Sequence, residues 1–361
     1  MTEITEFQVR KDNLSKHQIK TRVVDALGDG EILAKVDHFA FTANNVTYGV
    51  VGERIGYWKF FPTAEEGWGI IPVWGFADVI ESNASDIAVG ERLYGYWPMA
   101  THLVMAPTKV RDTRMIDGVA HRAELPPVYN AYARVKQEPG YDGTFDDDRM
   151  ALYPLYATSY CLFDFFNDND LFGAKQIIVP SASSKTAIGV AYAFSAEEGG
   201  PSLIGVTSGK NADFVKSLGL YDSVVTYDDL ETSIDKSVPS AIIDMSGAGP
   251  IIGRLHAHLG ENMRYTSNVG ITHYEDAGMD DRYIAERSAM FFAPGHIQKR
   301  ASDWGPGEFE KRSFEFWKNA ATKSRDWLDL NIQSGPQSVT EAYNDVLSGN
   351  TSPKSAWIVS L

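Results

Sequence analysis

The sequence predicts an α/β protein built on a doubly wound parallel sheet, joined to a second domain that is mainly antiparallel and barrel-like. Three observations carry this. From Gln176 to Gly260 short apolar runs alternate with helix-length segments, upstream of that stretch short β-like runs are divided by turn residues, and a last apolar run, Ala356-Trp357-Ile358-Val359, closes the chain.

In the first part the β-like runs are Arg22-Val23-Val24, Glu31 to Val36, Ala77 to Ile80 and His102 to Met105, punctuated by Gly28, Gly30, Gly90 and Pro107. Short strands divided by turns predict an antiparallel arrangement. The acidic stretch Gly140 to Asp148 reads as a loop and sets a boundary near Met150. Gln176-Ile177-Ile178-Val179 then reads as a buried strand, Ser181 to Thr186 as a turn of small polar residues, and Ala187 as the opening of a helix. The next strand, Ser202 to Thr207, follows a Glu-Glu-Gly-Gly-Pro break, which is the spacing of a right-handed crossover. The pattern repeats with a helix from Ala212 to Leu218, strands from Ser223 to Tyr227 and Ala241 to Met245, and a helix from Pro250 to Leu259. Glu308 to Leu330 is helical in pattern, and Glu341 to Leu347 is a short helix closed by Ser348-Gly349-Asn350. Strands at both ends predict that the chain returns to its first domain, with a small-ligand cleft between the two. The expected division is 1–150, 151–300 and a returning segment 301–361.

Composition narrows the function classes. With 43% hydrophobic and 22% charged residues the chain is ordinary globular protein, long enough for two cores. A formal charge of −15 argues against a nucleic-acid partner, which would require clustered Lys and Arg. The single cysteine, Cys161, excludes an internal disulfide and a Cys-rich zinc lobe, and points to a reducing compartment. The first residues, Met1 to Glu6, carry no basic or apolar leader, and no run is long enough to span a membrane, so the expectation is a soluble cytoplasmic protein.

The turn from Ser181 to Thr186 is the most informative feature. A strand that delivers the chain to a helix N-terminus makes an anion site, because first-turn N–H groups and the helix dipole converge there. The dinucleotide fingerprint G-x-G-x-x-G is absent, and Ser183, Ser184, Lys185 and Thr186 stand where glycines are expected. The Lys-Thr pair invites a P-loop reading, but both P-loop glycines are missing, so the backbone would not readily wrap a triphosphate. A plain serine-rich connection without a ligand remains open.

The order of features resembles the medium-chain dehydrogenase/reductase superfamily, in particular its zinc-free quinone oxidoreductase and enoyl reductase branches. Gly30 to Val36 is similar to that family's first barrel strand, Val89-Gly90-Glu91-Arg92-Leu93-Tyr94-Gly95 to its V-G-D-R-V motif, and Leu155 to Tyr160 to the helix before the first Rossmann strand. Ala356 to Val359 sits where the family's closing strand sits. Tyr57 to Pro62, with Gly95 to His102, resembles a subfamily without an assigned substrate. The resemblance implies a Rossmann nucleotide-binding domain and a GroES-like catalytic domain. It puts Thr42 and Trp74 where zinc-containing members have Cys and His, which implies no metal. Relatives with this architecture often form homodimers.

On this resemblance the cofactor is NADP(H). Its pyrophosphate would meet Ser181, Ser183, Ser184, Lys185 and Thr186. The second strand ends in Thr207, Ser208, Lys210 and Asn211 with no acidic residue, which suits a 2′-phosphate where NAD would call for an acid; a solvated lysine at a helix start is the bland alternative. Gly247, Asn268, Val269 and Gly270 would border the nicotinamide, or form ordinary strand-to-helix turns. Thr42, Asn45 and Tyr48 fall on the family's loop facing that ring. Hydride transfer leaves an oxyanion or enolate that needs a donor, and Tyr48 is the leading candidate. A half-buried anchor is the bland alternative for Tyr48, and simple turn chemistry that for Asn45.

The segment His121 to Tyr132 packs imidazole, guanidinium, amide and phenol closely enough to recognise a carbonyl or carboxylate, or to brace a loop. His102 and His273 read as structural. Tyr57, Trp58, Phe60, Phe61, Trp68 and Trp74 would line a pocket for an apolar or aromatic substrate, or form barrel core. The expected activity is zinc-independent, NADPH-dependent reduction of a polarised C=C or C=O bond in an enone, quinone, ketone or acyl thioester. The alternative is an NADP(H)-binding sensor or structural module without turnover.

Overall fold

A computed structural model describes residues 1–197, 199–270 and 280–361; His273 and Glu198 lie outside them. The chain divides into two units. One comprises Met1–Ala151 and Trp327–Leu361, the other Leu152–Asp326. Among the described residues no helix is long and apolar enough to cross a membrane.

The first unit is strand-rich. Ile32–Phe41, Pro72–Ser82, Arg92–Pro98 and Ala131–Arg134 pair antiparallel in that order, and Ser355–Ser360 joins the other edge of Ile32–Phe41. Trp74 lies opposite Tyr96, and Gly75 opposite Gly95. Because side chains alternate across a strand, Trp74, Tyr94 and Tyr96 share one face while Leu93 and Trp97 take the other. Both faces are covered, and Tyr96 and Trp97 are fully buried. Gly95 is needed because a Cβ there would lie 2.3 Å from the Tyr132 ring. A hairpin of Thr2–Arg10 and Asn13–Val24 pairs with the short strand Trp68–Gly69.

Among its described residues the second unit holds six parallel strands: β1 (Gln176–Pro180), β2 (Ser202–Thr207), β3 (Ser223–Thr226), β4 (Ser240–Asp244), β5 (Met263–Asn268) and β6 (Ser288–Met290). Their order across the sheet is β3-β2-β1-β4-β5-β6, so the winding reverses between β1 and β4. That is the doubly wound order of a Rossmann fold, whose ligands bind beyond the carboxyl ends of the strands at the reversal. Helices α1 (Lys185–Ser195), α2 (Gly209–Ser217) and α3 (Gly249–Leu259) follow β1, β2 and β4. Ile177, Val179, Ala187 and Val190 pack on one face of the sheet, and Ile178, Val206, Ile252 and Leu255 on the other.

Several expected boundaries move, each for a local reason. Helix α1 starts at Lys185 instead of Ala187, because Ser184 caps it by accepting the Ala187 N–H. Asp146, Asp147 and Asp148 belong to the first turn of a helix, Asp146–Asp168, where carboxylates meet the positive end of the dipole. The helix from Glu308 ends at Ser324; Asp329–Ser334 is a strand that pairs in parallel with Ser355–Ser360. The last helix starts early, at Pro336, whose fixed φ suits a first turn. Residues 301–326 lie in the second unit and not in the returning segment, since Phe309 packs on Tyr160 and Ser324 hydrogen-bonds Tyr156 at 2.7 Å.

Candidate functional site

In the second unit the ends of β1, β2, β4 and β5 gather most of the residues singled out from the sequence. The turn after β1 begins at Ser181 with φ of 60°, the left-handed region that glycine favours. The Ser181 N–H donates to the Tyr227 hydroxyl at 3.1 Å, and the Ala182 N–H to Val206 O at 2.9 Å. Ser184 is used as the helix cap. Lys185 is partly buried, and desolvation pushes its ammonium down to about 8. Thr186 follows in the first turn of α1, and its O accepts from Ser159. The Asn211 amide donates to Ser183 Oγ at 3.1 Å, which ties the turn after β1 to the start of α2. Thr207 is buried and Lys210 exposed. Ser208, the residue before α2, has a buried hydroxyl with no partner among the described residues.

A left-handed serine costs about 1 kcal/mol relative to glycine. Ser181→Gly is expected to raise the unfolding free energy by about that amount in urea titration. An unchanged or lower value would show that the turn is not strained.

Across the reversal, Asp244 organises the other side. Its buried carboxylate accepts from Ser246 N at 2.8 Å, Ser246 Oγ at 2.6 Å and Gly247 N at 3.2 Å, while burial still pushes its acidity down and its pKa up. Its carbonyl accepts the Val269 and Gly270 N–H groups at 2.9 and 3.0 Å. The loops after β4 and β5 are thereby locked together. Asn268 donates to the Tyr283 hydroxyl at 2.8 Å. The Asn268 Oδ1 and Ser267 Oγ atoms are buried without a partner among the described residues. Asp244 and Tyr227 were missed in the sequence, although an aspartate two residues before a serine at a strand end is an Asx-turn signal.

In the first unit Thr42, Asn45 and Tyr48 are brought together on a helix, Ala43–Val50, where the sequence suggested a loop. Thr42 is its extended N-cap. Asn45 Oδ1 accepts from Thr42 N at 2.8 Å and Thr42 Oγ1 at 3.0 Å, and its Nδ2 donates to Pro72 O at 3.0 Å. Every polar atom of the Asn45 side chain is engaged, and the residue is 3% exposed. One turn on, Tyr48 is 7% exposed and its oxygen accepts from Asn44 Nδ2 at 2.7 Å and Trp74 Nε1 at 3.4 Å. Burial pushes the Tyr48 phenol well above its ordinary pKa. It therefore holds its proton at neutral pH.

The other residues weighed from the sequence divide. Trp58, Phe60 and Phe61 are buried core, and Tyr57, Trp68 and Trp74 are partly exposed. Arg122 is buried against Asp117 and lies 5.0 Å over the Phe61 ring, and its carbonyl accepts from Asn130 Nδ2 at 2.9 Å. His121 Nε2 lies 3.1 Å from Phe60 O, and His102 Nδ1 lies 3.0 Å from Thr101 Oγ1. Among the described residues no three His, Cys, Asp or Glu side chains are grouped to hold a metal ion.

A Rossmann sheet together with a strand-rich unit is the fold class expected from the sequence. The chain belongs to the family described as "Protein of unknown function (DUF2855)", whose model matches residues 39–352. No curated protein matches its sequence. Among solved structures it is similar to a mutant form of enoyl thioester reductase from Candida tropicalis, with 10% identity, TM-score 0.61 and 100% of each chain covered. CurA in complex with NADPH from Vibrio vulnificus gives 11%, 0.61 and 99% of each chain. The quinone oxidoreductase from Coxiella burnetii gives 13%, 0.58 and 100% of each.

Proposed function

We propose that the protein is an NADPH-dependent oxidoreductase that reduces a polarised C=C or C=O bond without zinc. One observation carries the reading. Ser208, Ser267 and Asn268 each keep a buried polar atom without a partner among the described residues, and all three stand at the carboxyl ends of parallel strands. An unpaired buried polar atom costs about 1–3 kcal/mol, so a ligand that fills these bonds is favoured there. The Vibrio relative is a complex with NADPH and the Candida relative an enoyl thioester reductase, which agrees with this choice.

The residues present fit the cofactor. Ser183, Lys185, Thr186 and the N-terminus of α1 would hold its pyrophosphate, and Ser208 and Lys210 its 2′-phosphate. Gly247, Val269 and Gly270 would let backbone approach the nicotinamide. When bound, NADPH supplies a hydride. Tyr48 donates a hydrogen bond, and then the proton, to the oxygen on which charge develops. Asn45 holds Thr42 and the helix that carries Tyr48. Thr42 and Trp74, where the superfamily's zinc ligands would fall, offer no thiolate or imidazole, so the charge is met by hydroxyls.

Calorimetric titration of the full chain with NADPH and NADH tests the cofactor, and a panel of enones, quinones and ketones tests turnover. NADPH is expected to bind more tightly than NADH. Lys210→Ala is expected to weaken NADPH about tenfold and leave NADH unchanged, the scale of one charge-assisted hydrogen bond. No binding of either nucleotide would sink the proposal. A second reading has one observation in its favour: the Ser181 N–H, a natural pyrophosphate donor, is already occupied by Tyr227. Tight NADPH binding with no turnover of any electrophile would make the protein a nucleotide-binding module instead.

A further inference from the structure

The hairpin of Thr2–Arg10 and Asn13–Val24 leaves one long edge without a partner strand. In the three-stranded sheet that it forms with Trp68–Gly69, Asn13–Val24 stands at the margin and pairs only with Thr2–Arg10. The register sets Ile4 opposite Arg22, Glu6 opposite Lys20 and Gln8 opposite Gln18.

Which backbone groups this leaves free follows from the other side of Thr2–Arg10. Thr5 O accepts the Thr101 N–H at 2.9 Å, and the Phe7 N–H donates to Met99 O at 2.8 Å, so Thr5 and Phe7 turn their backbone groups away from Asn13–Val24. Direction alternates along a strand, so Ile4, Glu6 and Gln8 are the residues that bond to Arg22, Lys20 and Gln18. Ile19, Thr21 and Val23 therefore point their N–H and C=O groups out of the sheet. All three are exposed, and among the described residues their backbone makes no hydrogen bond beyond the hairpin. Such an edge is a template for one more strand.

The side chains along the edge say what that strand carries. Lys16, Lys20 and Arg22 project from one face, and Ile19, Thr21 and Val23 from the other. The three cations are exposed. Of their acidic neighbours, Glu6 pairs with Arg22 at 2.6 Å and is only 4% exposed, and Glu65 pairs with Lys20 at 2.8 Å. The surface that a partner meets is thus basic, on a chain whose formal charge is −15. A second copy of the same strand fits poorly. Antiparallel pairing about Thr21 sets Lys20 against Arg22, and pairing about Ile19 sets Lys16 against Arg22.

We propose that this edge binds an extended segment of another protein, added antiparallel, in which acidic residues alternate with β-branched apolar ones. The acids fall beside Lys16, Lys20 and Arg22. The apolar residues lie opposite Ile19, Thr21 and Val23, where they cover Ile19 and Val23, now 40% and 61% exposed, and supply the N–H and C=O groups of the new ladder. Binding at this edge requires neither nucleotide nor substrate.

Fluorescence anisotropy of a short labelled peptide of alternating valine and glutamate, titrated with the full chain, tests this. The peptide is expected to bind at least about tenfold more tightly than its counterpart with lysine for glutamate, the ratio that one charge-assisted hydrogen bond supplies. N-methylation of its valines, whose N–H groups face the edge, is expected to abolish binding, and N-methylation of its glutamates to spare it. Thr21→Pro removes one outward N–H without touching a backbone bond to Thr2–Arg10, and is expected to weaken binding about tenfold. Should that substitution disturb the hairpin, the methylated peptides test the same ladder on the unaltered protein. No binding of the acidic peptide, equal binding of the two charge forms, or indifference to valine N-methylation overturns the proposal.

Discussion

Tyr48→Phe is expected to lower kcat by about 100-fold or more, the usual range for removing a proton donor, while NADPH affinity stays as it was. The phenol is held in place by the helix that Asn45 pins to Pro72 and by the Asn44 and Trp74 N–H groups on its oxygen. Two donors on one phenol oxygen stabilise negative charge there, which makes the remaining O–H a stronger donor. Burial opposes ionisation and pushes the pKa up. The two effects together describe a group that stays protonated through neutral and mildly alkaline pH, as the proposed donor role requires. No loss of activity from this group is therefore expected as pH rises through that range. The substitution leaves the Asn44 amide and the Trp74 indole without their acceptor, at a cost of about 1 kcal/mol to folding. Turnover equal to wild type, with stability lowered as stated, would make Tyr48 an anchor of the barrel and would remove it from the chemistry.

Much of the parallel sheet could be read from the chain, because its strands are local and continuous in apolar character. Ser202–Thr207 has the same limits in sequence and structure, and Ile177, Ile178, Val179, Ile242 and Ile243 are fully buried as a run without polar interruption predicts. The first unit was harder. Asn13–Val24 is mostly exposed and polar, so only its last residues read as a strand, and its partner Thr2–Arg10 was not anticipated. Val46-Thr47-Tyr48 has β-like composition, yet the N-cap at Thr42 and the reach of Asn45 back to it hold a helix there. The packing of Tyr48, Tyr57, Tyr96 and Tyr129 against one another was the least legible part. Tyr48, Tyr57, Tyr96 and Tyr129 are spread over 82 residues of sequence, and only the pairing of Trp74 with Tyr96 brings the sheet face under the helix. Nothing local in the sequence specifies that register. The turn after β1 was legible as a position but not as a geometry, since the left-handed Ser181 and its partner Tyr227 follow β1 and β3, the strands on either side of β2.

Gly270→Ala is expected to lower stability by about 1–3 kcal/mol, the cost of inserting a methyl group into filled space, and to weaken NADPH more than it weakens folding. A Cβ at position 270 would lie 2.6 Å from Met245 O and 2.9 Å from Gly247 N. Both neighbours are backbone, so neither can rotate away, and one of the two loops must shift. The shift cannot be absorbed locally, because Asp244 holds both loops at once through its carbonyl to Val269 and Gly270 and through its carboxylate to Ser246 and Gly247. A displaced loop breaks hydrogen bonds to a buried carboxylate and moves the backbone that is proposed to border the nicotinamide. Gly209→Ala supplies the control for stability, since a Cβ there meets nothing within 4 Å and alanine favours the first turn of α2. Unfolding in urea separates the two variants, and calorimetric titration with NADPH reads the loops. If Gly270→Ala folds as stably as wild type and binds NADPH equally, the loops after β4 and β5 are not rigidly coupled, and the proposed nicotinamide border at Gly247, Val269 and Gly270 loses its structural basis.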